Sequence, residues 1–211
     1  MAELYHNRYR IPSSRLATWD YTSEGMYFVT ICTHRRAHYF GEIVETPCMA
    51  SDQVVVPETP GMASDQVVVP ETPGMASLRP TAMGLIAEQE WYRTMALRTD
   101  MRLQSGEFVV MPNHIHGILI IGANPFNQGI PANQNRFGPQ SHNLASVIRG
   151  YKSAVTIYAR QNGICFNWQS RFHDHIIRSY EEYERIARYI RNNPQKWASD
   201  KWYTPHEANA G

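Results

Sequence analysis

Two shortages in this sequence each exclude a class of protein. Only three of its 211 residues are cysteines. Cys32, Cys48 and Cys165 form no CxxC pair, which argues against a disulfide framework and against a thiolate zinc site. No apolar run reaches the length of about 18 residues that a membrane span needs. Residues 1–10 are too polar and charged for a secretory signal. We therefore expect a cytoplasmic protein.

Basic residues are also missing from one long stretch, residues 41–77. That stretch holds six acids: Glu42, Glu45, Asp52, Glu58, Asp65 and Glu71. The net charge of +1 for the whole chain hides 20 basic against 13 acidic residues outside the stretch. Residues 149–196 alone carry nine basic and four acidic residues. Such an excess suits a phosphate backbone, although a solvated helix face gives the same composition.

The acidic stretch contains a tandem repeat with a period of 13 residues. Its copies are 45–57, 58–70 and the incomplete 71–77. This unit is too short for the usual solenoids, so we interpret residues 45–77 as an insertion. Each Val-Val-Val run could form a short strand that lengthens a hairpin at the sheet edge, and disorder fits the composition equally well.

The rest of the chain predicts one α+β domain. The 43% hydrophobic content over 211 residues supports a single core, preceded by a basic arm over residues 1–20. The pattern predicts strands at 27–33 and 40–44 as hairpin partners, a helix at 81–97, strands at 108–111 and 114–121, a helix at 144–158, a strand at 172–178 and a last helix after Ser179. This order predicts a ferredoxin-like sandwich, an antiparallel sheet with helices packed on it.

Two histidines begin one of these strands. His114 and His116 are two residues apart at the head of an apolar run that ends at Ile121. Positions i and i+2 of a strand share a face, so both imidazoles can converge on one metal ion. Two ligands leave the site incomplete.

A third ligand and a nucleophile are predicted in the last helix. Ser179 and Glu182 have the spacing of a capping box, and Pro194 should stop the helix by disfavouring helical geometry at Asn193. Tyr189 and Asn193 are four residues apart and would share a face of the last turn. If that face packs over the histidine strand, two nitrogens and an amide oxygen hold a metal beside a phenol. This donor set, which lacks thiolates, fits Mg²⁺ or Mn²⁺.

Several motifs in the same order give the chain a family resemblance. They are residues 27–33 (YFVTICT), 111–121 (MPNHIHGILII), 148–153 (IRGYKS), 168–169 (WQ), 174–178 (DHIIR) and 189–194 (YIRNNP). With these motifs the chain resembles the single-tyrosine HUH transposases, and most closely the REP-associated tyrosine transposases. The acidic repeat departs from the family, because a short strand-to-helix connection is expected in its place.

The resemblance implies a function and a role for each site residue. It makes His114 and His116 metal ligands, Tyr189 the catalytic tyrosine and Asn193 the third ligand. It implies a homodimer that cuts single-stranded DNA beside imperfect palindromic hairpins through a 5′-phosphotyrosine intermediate, and a nucleoid-associated location when DNA is bound. A free phenol, with a pKa near 10, is a poor nucleophile and needs the metal.

The residues that contact DNA are harder to predict. Our candidates are Arg8, Arg10 and Arg15 in the N-terminal arm, followed by Arg149, Lys152 and Arg171. Trp168 is a candidate for base stacking and equally for the core.

Two other function classes remain open. A metal-dependent hydrolase would use the same histidines to activate water, and a non-catalytic module would only hold DNA hairpins. A second pair with the same spacing, His173 and His175, lies outside any metal motif of the family. For that pair we expect a structural or substrate-orienting role.

Overall fold

The computed structural model describes residues 19–46, 75–128 and 141–205. The strands in these ranges are β1 (Gly25–Cys32), β2 (Gly41–Thr46), β3 (Met75–Pro80), β4 (Leu103–Met111), β5 (His114–Ile121) and β6 (His173–Ile177). The α-helices are α1 (Ala82–Leu97), α2 (Leu144–Gln161) and α3 (Tyr180–Arg191), and 3₁₀ turns cover His34–Arg36, Thr99–Met101 and Pro194–Ser199. None of the helices described here has the length and apolar content to cross a membrane.

The main sheet has four strands in the order β4-β5-β1-β6, and every neighbouring pair is antiparallel. Two βαβ units build the sheet, β1-α1-β4 and β5-α2-β6. The strands β4 and β5 are joined by a short turn, whereas β1 pairs with β5 and β6, which are both distant in sequence. This confirms the predicted ferredoxin-like sandwich.

Side-chain alternation along β5 creates two layers. Ile115, Leu119 and Ile121 point into the large core beneath α1 and α2. Ile118 points the other way, into a smaller cluster with the α3 residue Ile190. Because the period of a strand is two, the histidines of β5 must share the α3 face with Ile118. The position of α3 on this face brings its last turn to the histidines.

Gly117, between these positions, allows the large core to pack closely. A Cβ atom there would lie 2.6 Å from the ring of Trp91. That ring stacks on Phe108 of β4 at a centroid distance of 4.7 Å. A side chain at Gly117 would therefore displace α1 from the sheet behind the histidines.

The ends of α3 correct two details of the prediction. Ser179 caps the helix by accepting from the backbone N–H of Glu182, but the Glu182 carboxylate accepts from the N–H of Arg178, not of Ser179. The helix ends at Arg191, and Asn193 keeps helical dihedrals (φ −61°, ψ −42°) although it precedes Pro194. The expectation that Pro194 forces Asn193 out of helical geometry is wrong. The proline preference is only statistical, and here a 3₁₀ turn follows directly.

The strands β2 and β3 correct a third detail. Phe40–Val44 was expected to pair with the first strand, but β2 pairs with β3 in a separate two-stranded ribbon. The two neighbours of β1 are β5 and β6, which leave it no free edge for β2. The ribbon pairs the two ends of the predicted insertion, and residues 47–74, with most of the repeat, lie outside the described residues.

Candidate active site

The two histidines of β5 are fully buried, and neighbouring groups fix their rings. The amide nitrogen of Asn113 donates to the Trp202 carbonyl at 3.0 Å, which turns the Asn113 Oδ1 toward His114 Nδ1, 2.8 Å away. His114 Nδ1 must therefore carry a proton and leave the lone pair on Nε2. His116 Nδ1 lies 2.8 Å from the hydroxyl of Thr30 on β1. Such contacts orient imidazoles for a metal.

The two Nε2 atoms face each other at 3.1 Å. Two lone pairs at that distance require a proton or a cation between them. Adjacent ligands of an octahedral ion with bonds of about 2.1 Å are separated by about 3.0 Å, close to the spacing seen here. Burial lowers the pKa of both His114 and His116, so both are neutral at pH 7, the state that binds metals.

Asp200 is the residue of this site that the sequence analysis missed. A ligand atom of Asp200 lies within 4.8 Å of those of His114 and His116, and together the three could hold a metal ion. Its Oδ1 accepts from the backbone N–H of Trp202 at 2.6 Å, which fixes the carboxylate. Nothing local in the sequence marks Asp200, because the chain reaches the site only by folding back after the Pro194–Ser199 turn.

Asn193 lies at the same place, as its spacing from Tyr189 predicted. The side chain is 1% exposed, and its Nδ2 donates to Asp200 Oδ2 at 3.0 Å. Its Oδ1 is buried and has no hydrogen-bond partner among the described residues. A buried acceptor without a partner is costly, and a cation at this site would satisfy it. The donors present thus fit a divalent metal.

Tyr189 brings its phenol to the histidines from the last turn of α3. The hydroxyl lies 3.2 Å from His116 Nε2 and 3.2 Å from Asp200 Oδ2, all within one chain. The ring contacts Phe28 edge to face, and it remains 38% exposed toward a cavity of about 740 Å³. Partial burial and the negative charge of Asp200 raise the pKa of Tyr189 to about 12. Without a metal ion, the Tyr189 phenol is therefore deprotonated even less often at neutral pH than free tyrosine, which makes it a weaker nucleophile.

Four of the residues that line the cavity beside the phenol are cations. They are Arg185, Arg188, Lys196 and Lys201. All except Lys201 belong to the basic excess of residues 149–196, but none of the four was among the predicted DNA contacts. Their position at the mouth of the site suits a polyanionic substrate.

The predicted DNA contacts lie elsewhere or are not described. Arg8, Arg10 and Arg15 fall outside the described residues. Arg149 is on α2, across the sheet from the histidines, and lines a separate cleft. Lys152 donates to the carbonyls of Gln169 and Arg171, at 2.6 and 3.1 Å, and so ties that loop to α2. DNA contact by these residues stays a prediction.

Trp168 has the core role that was one of its two alternatives. Its ring is partly buried, with the Phe166 ring centroid at 4.9 Å, and its Nε1 donates to the Lys152 carbonyl.

Comparison with known proteins gives two likenesses. A scan against models of protein families gives no match. Among solved structures, a REP-associated tyrosine transposase bound to a REP hairpin superposes with a TM-score of 0.45 and 18% identity, covering 96% of this chain and 76% of that one. A protein of Haemophilus influenzae, described as uncharacterized, is 30% identical in an alignment 208 residues long that covers 96% of each chain. The chain therefore belongs to the same protein family as this Haemophilus influenzae protein.

Proposed function

We propose that this protein is a metal-dependent endonuclease and strand transferase for single-stranded DNA, similar to the single-tyrosine HUH transposases. It acts at palindromic repeat hairpins through a 5′-phosphotyrosine intermediate. The observation that carries the proposal is the Tyr189 hydroxyl 3.2 Å from His116 Nε2. A tyrosine on a helix commonly just packs against its neighbours, whereas the Tyr189 phenol lies beside two neutral imidazoles and a carboxylate that could hold a metal ion.

In the proposed reaction, the Tyr189 oxygen attacks the scissile phosphorus, and the bond to the 3′ oxygen breaks. The products are a 5′-phosphotyrosyl bond and a free 3′-hydroxyl. The phenol proton passes to Asp200 Oδ2, 3.2 Å from the hydroxyl, and the leaving 3′ oxygen takes up a proton from solvent. His116 Nε2 is also 3.2 Å from the hydroxyl, but its lone pair is used on the ion. Because the phosphodiester energy stays in the covalent bond, another 3′-hydroxyl can reverse the step and join strands.

A divalent ion held by His114, His116 and Asp200, with the Asn193 Oδ1 beside them, would supply Lewis-acid stabilisation of the phosphate charge. We propose Mg²⁺ or Mn²⁺ as the ion, because the carboxylate and amide oxygens suit these cations. The chain's own groups do the remaining work. Asn113 and Thr30 orient the imidazoles, and the cations around the cavity attract the strand.

All the groups proposed for cleavage lie together on one chain, and we propose that one protomer forms a complete site. The homodimer implied by the family resemblance stays a prediction, and sedimentation with and without DNA tests it.

The decisive experiment tests for a covalent adduct. The protein is incubated with Mn²⁺ and labelled single-stranded DNA from the flanks of its own gene, then denatured and separated by electrophoresis. We expect a protein–DNA adduct that Tyr189→Phe abolishes. Tyr180→Phe is the matched control, because Tyr180 is 70% exposed at the other end of the same helix.

The alternatives give different results in the same experiment. Cleavage without an adduct, retained in Tyr189→Phe, would identify a hydrolase that activates water. Binding with neither cleavage nor adduct would identify a hairpin-binding module.

A further inference from the structure

A second cavity lies directly beside the candidate active site. It measures about 450 Å³, and we call it the flanking groove; Thr30, Arg36, His173 and Trp202 line it. It shares Phe28, His175 and Lys201 with the larger cavity in front of Tyr189. A strand in the larger cavity can therefore continue into the flanking groove over Phe28.

Two cations are held over one ring in this groove. The Arg36 guanidinium carbon lies 5.1 Å from the centroid of the Trp202 ring, and the Lys201 Nζ lies 4.9 Å from it. Arg36 also donates to the Lys201 carbonyl at 3.2 Å, which ties the two residues together. One carboxylate, that of Asp174, lines the same groove. Both cations contact the Trp202 side chain, which is 7% exposed and therefore a fixed support for them.

The backbone that carries Arg36 has an unfavourable conformation. Arg35 and Arg36 have φ values of +53° and +56°, in the left-handed region that side chains with a Cβ seldom occupy. The Thr33 hydroxyl holds this turn by contacting the carbonyls of Ala37 and Asn113, at 2.8 and 2.9 Å. Asn113 is the residue that orients His114, so the turn and the histidines are built on one frame. Such conformations persist where the surrounding contacts hold them, and they are common at ligand-binding sites.

We propose that the flanking groove binds a backbone phosphate of the single strand next to the bond that is cut, with Arg36 and Lys201 as its donors. The inference rests on the proposed function, because it takes single-stranded DNA as the ligand. It assigns these residues the task of fixing which phosphate reaches Tyr189. A phosphate bound at a fixed distance from the phenol sets the position of the cut.

The test combines variants with neutral phosphates. Binding of a labelled single strand is measured by fluorescence anisotropy on the Tyr189→Phe protein, which cannot form the adduct. Arg36→Gln and Lys201→Gln are each added to it, and Arg160→Gln is the matched control. Arg160 is an exposed arginine at the end of α2, across the sheet. Thermal melting of each variant confirms folding, and two separate groove variants keep the test valid if one fails to fold.

We expect each groove variant to bind about tenfold more weakly, the loss typical of one charged hydrogen bond. The slope of log affinity against log salt should fall by about 0.7 for each lost contact. The control should change affinity less than twofold. Methylphosphonate is then placed at each position of the strand in turn. At one position it should weaken binding about a hundredfold in the Tyr189→Phe protein, which has both donors, and only about tenfold in each groove variant, which has one donor left.

Equal methylphosphonate effects in the parent and in both groove variants at every position would overturn the proposal. The outcome is separable from that of the proposed function. An adduct at Tyr189 without this coupling would support the proposed function and refute phosphate binding in the flanking groove. Coupling without an adduct would support phosphate binding in the flanking groove and refute the proposed phosphotyrosine intermediate.

Discussion

The protein contains two histidine pairs with the same spacing on the same face of one sheet, and they differ in burial and in their partners. His114 and His116 begin the central strand β5, while His173 and His175 belong to the edge strand β6. All four lie on one face, since Thr30 of β1 pairs with His116 on one side and His173 on the other. The first pair is fully buried and the second is exposed.

The difference shows that partners, rather than spacing, bring two imidazoles into a geometry that could hold a metal ion. Asn113 and Thr30 fix the first pair so that both Nε2 atoms converge. In the second pair, His175 Nε2 contacts the Glu182 carboxylate at 2.8 Å, and the His173 ring lies 5.0 Å from the ring of Trp202. The edge pair thus contributes to the helix start and to the groove wall, consistent with the structural or substrate-orienting role expected for it.

The largest expected difference between the pairs is in cleavage. His116→Ala should lower metal-dependent adduct formation by about a thousandfold, because the several kcal/mol supplied by the ion are lost. His175→Ala should lower it less than tenfold. Initial rates of adduct formation at saturating Mn²⁺ measure both. Retained cleavage in His116→Ala would remove the metal dependence from the proposed mechanism.

Metal addition should separate the pairs in stability. At a Mn²⁺ concentration 100 times its Kd, the wild-type protein should gain about 2.7 kcal/mol of unfolding free energy. The gain should be absent in His114→Ala and present in His173→Ala. Denaturant unfolding with Mn²⁺ and with a chelator measures it. An equal gain in His114→Ala would place the ion elsewhere.

The partners of the pairs should differ in the same direction. Asn113→Ala removes the acceptor for His114 Nδ1–H and should weaken metal binding at least about tenfold. Glu182→Gln alters the partner of His175 and should leave the metal affinity unchanged. Isothermal titration with Mn²⁺ compares the two. If both variants bind as wild type does, ring orientation by Asn113 has no part in metal binding.

The smallest expected effect is a pH dependence of the metal-free fold. Burial lowers the pKa of His114 and His116 in the folded chain, so the unfolded chain binds more protons below its histidine pKa of about 6.5. Stability should therefore fall as the pH drops below about 6.5, by at most about 1.4 kcal/mol per pH unit for each histidine. Denaturant unfolding at several pH values with chelator measures the slope, and His114→Gln/His116→Gln should flatten it. An unchanged slope in that double variant would assign the dependence to other groups.

Local sequence was enough to predict the order of the elements outside the insertion and the meeting of His116 with Tyr189. Apolar periodicity placed α1 and α2 within a few residues, and the two-residue and four-residue spacings brought His116 and Tyr189 to one place. These predictions succeeded because the periods of strands and helices determine which side chains share a face. The order of the βαβ units determines which strands are neighbours in the sheet. Strand propensity in Phe40–Val44, in contrast, carries no information about the partner strand, and there the pairing was wrong.

Asp200, Arg36 and Lys201 could not be predicted from the sequence. Each reaches the site through irregular segments, a left-handed turn after β1 and the 3₁₀ turn after α3, for which no periodicity gives a direction. Their positions depend on long-range contacts such as that between Arg36 and the Lys201 carbonyl, 165 residues apart. Sequence alone therefore brought the histidines, Tyr189 and Asn193 together, but it missed the carboxylate beside them and the two cations of the flanking groove.

The ribbon of β2 and β3 has a consequence for the length of the chain. Its last described pair, Thr46 and Met75, holds the two ends of the repeat side by side. Doubling the length of a closed flexible loop costs only about 0.6 kcal/mol. Because Thr46 and Met75 are already paired, we expect the gain or loss of whole 13-residue copies between them to leave the ribbon in place.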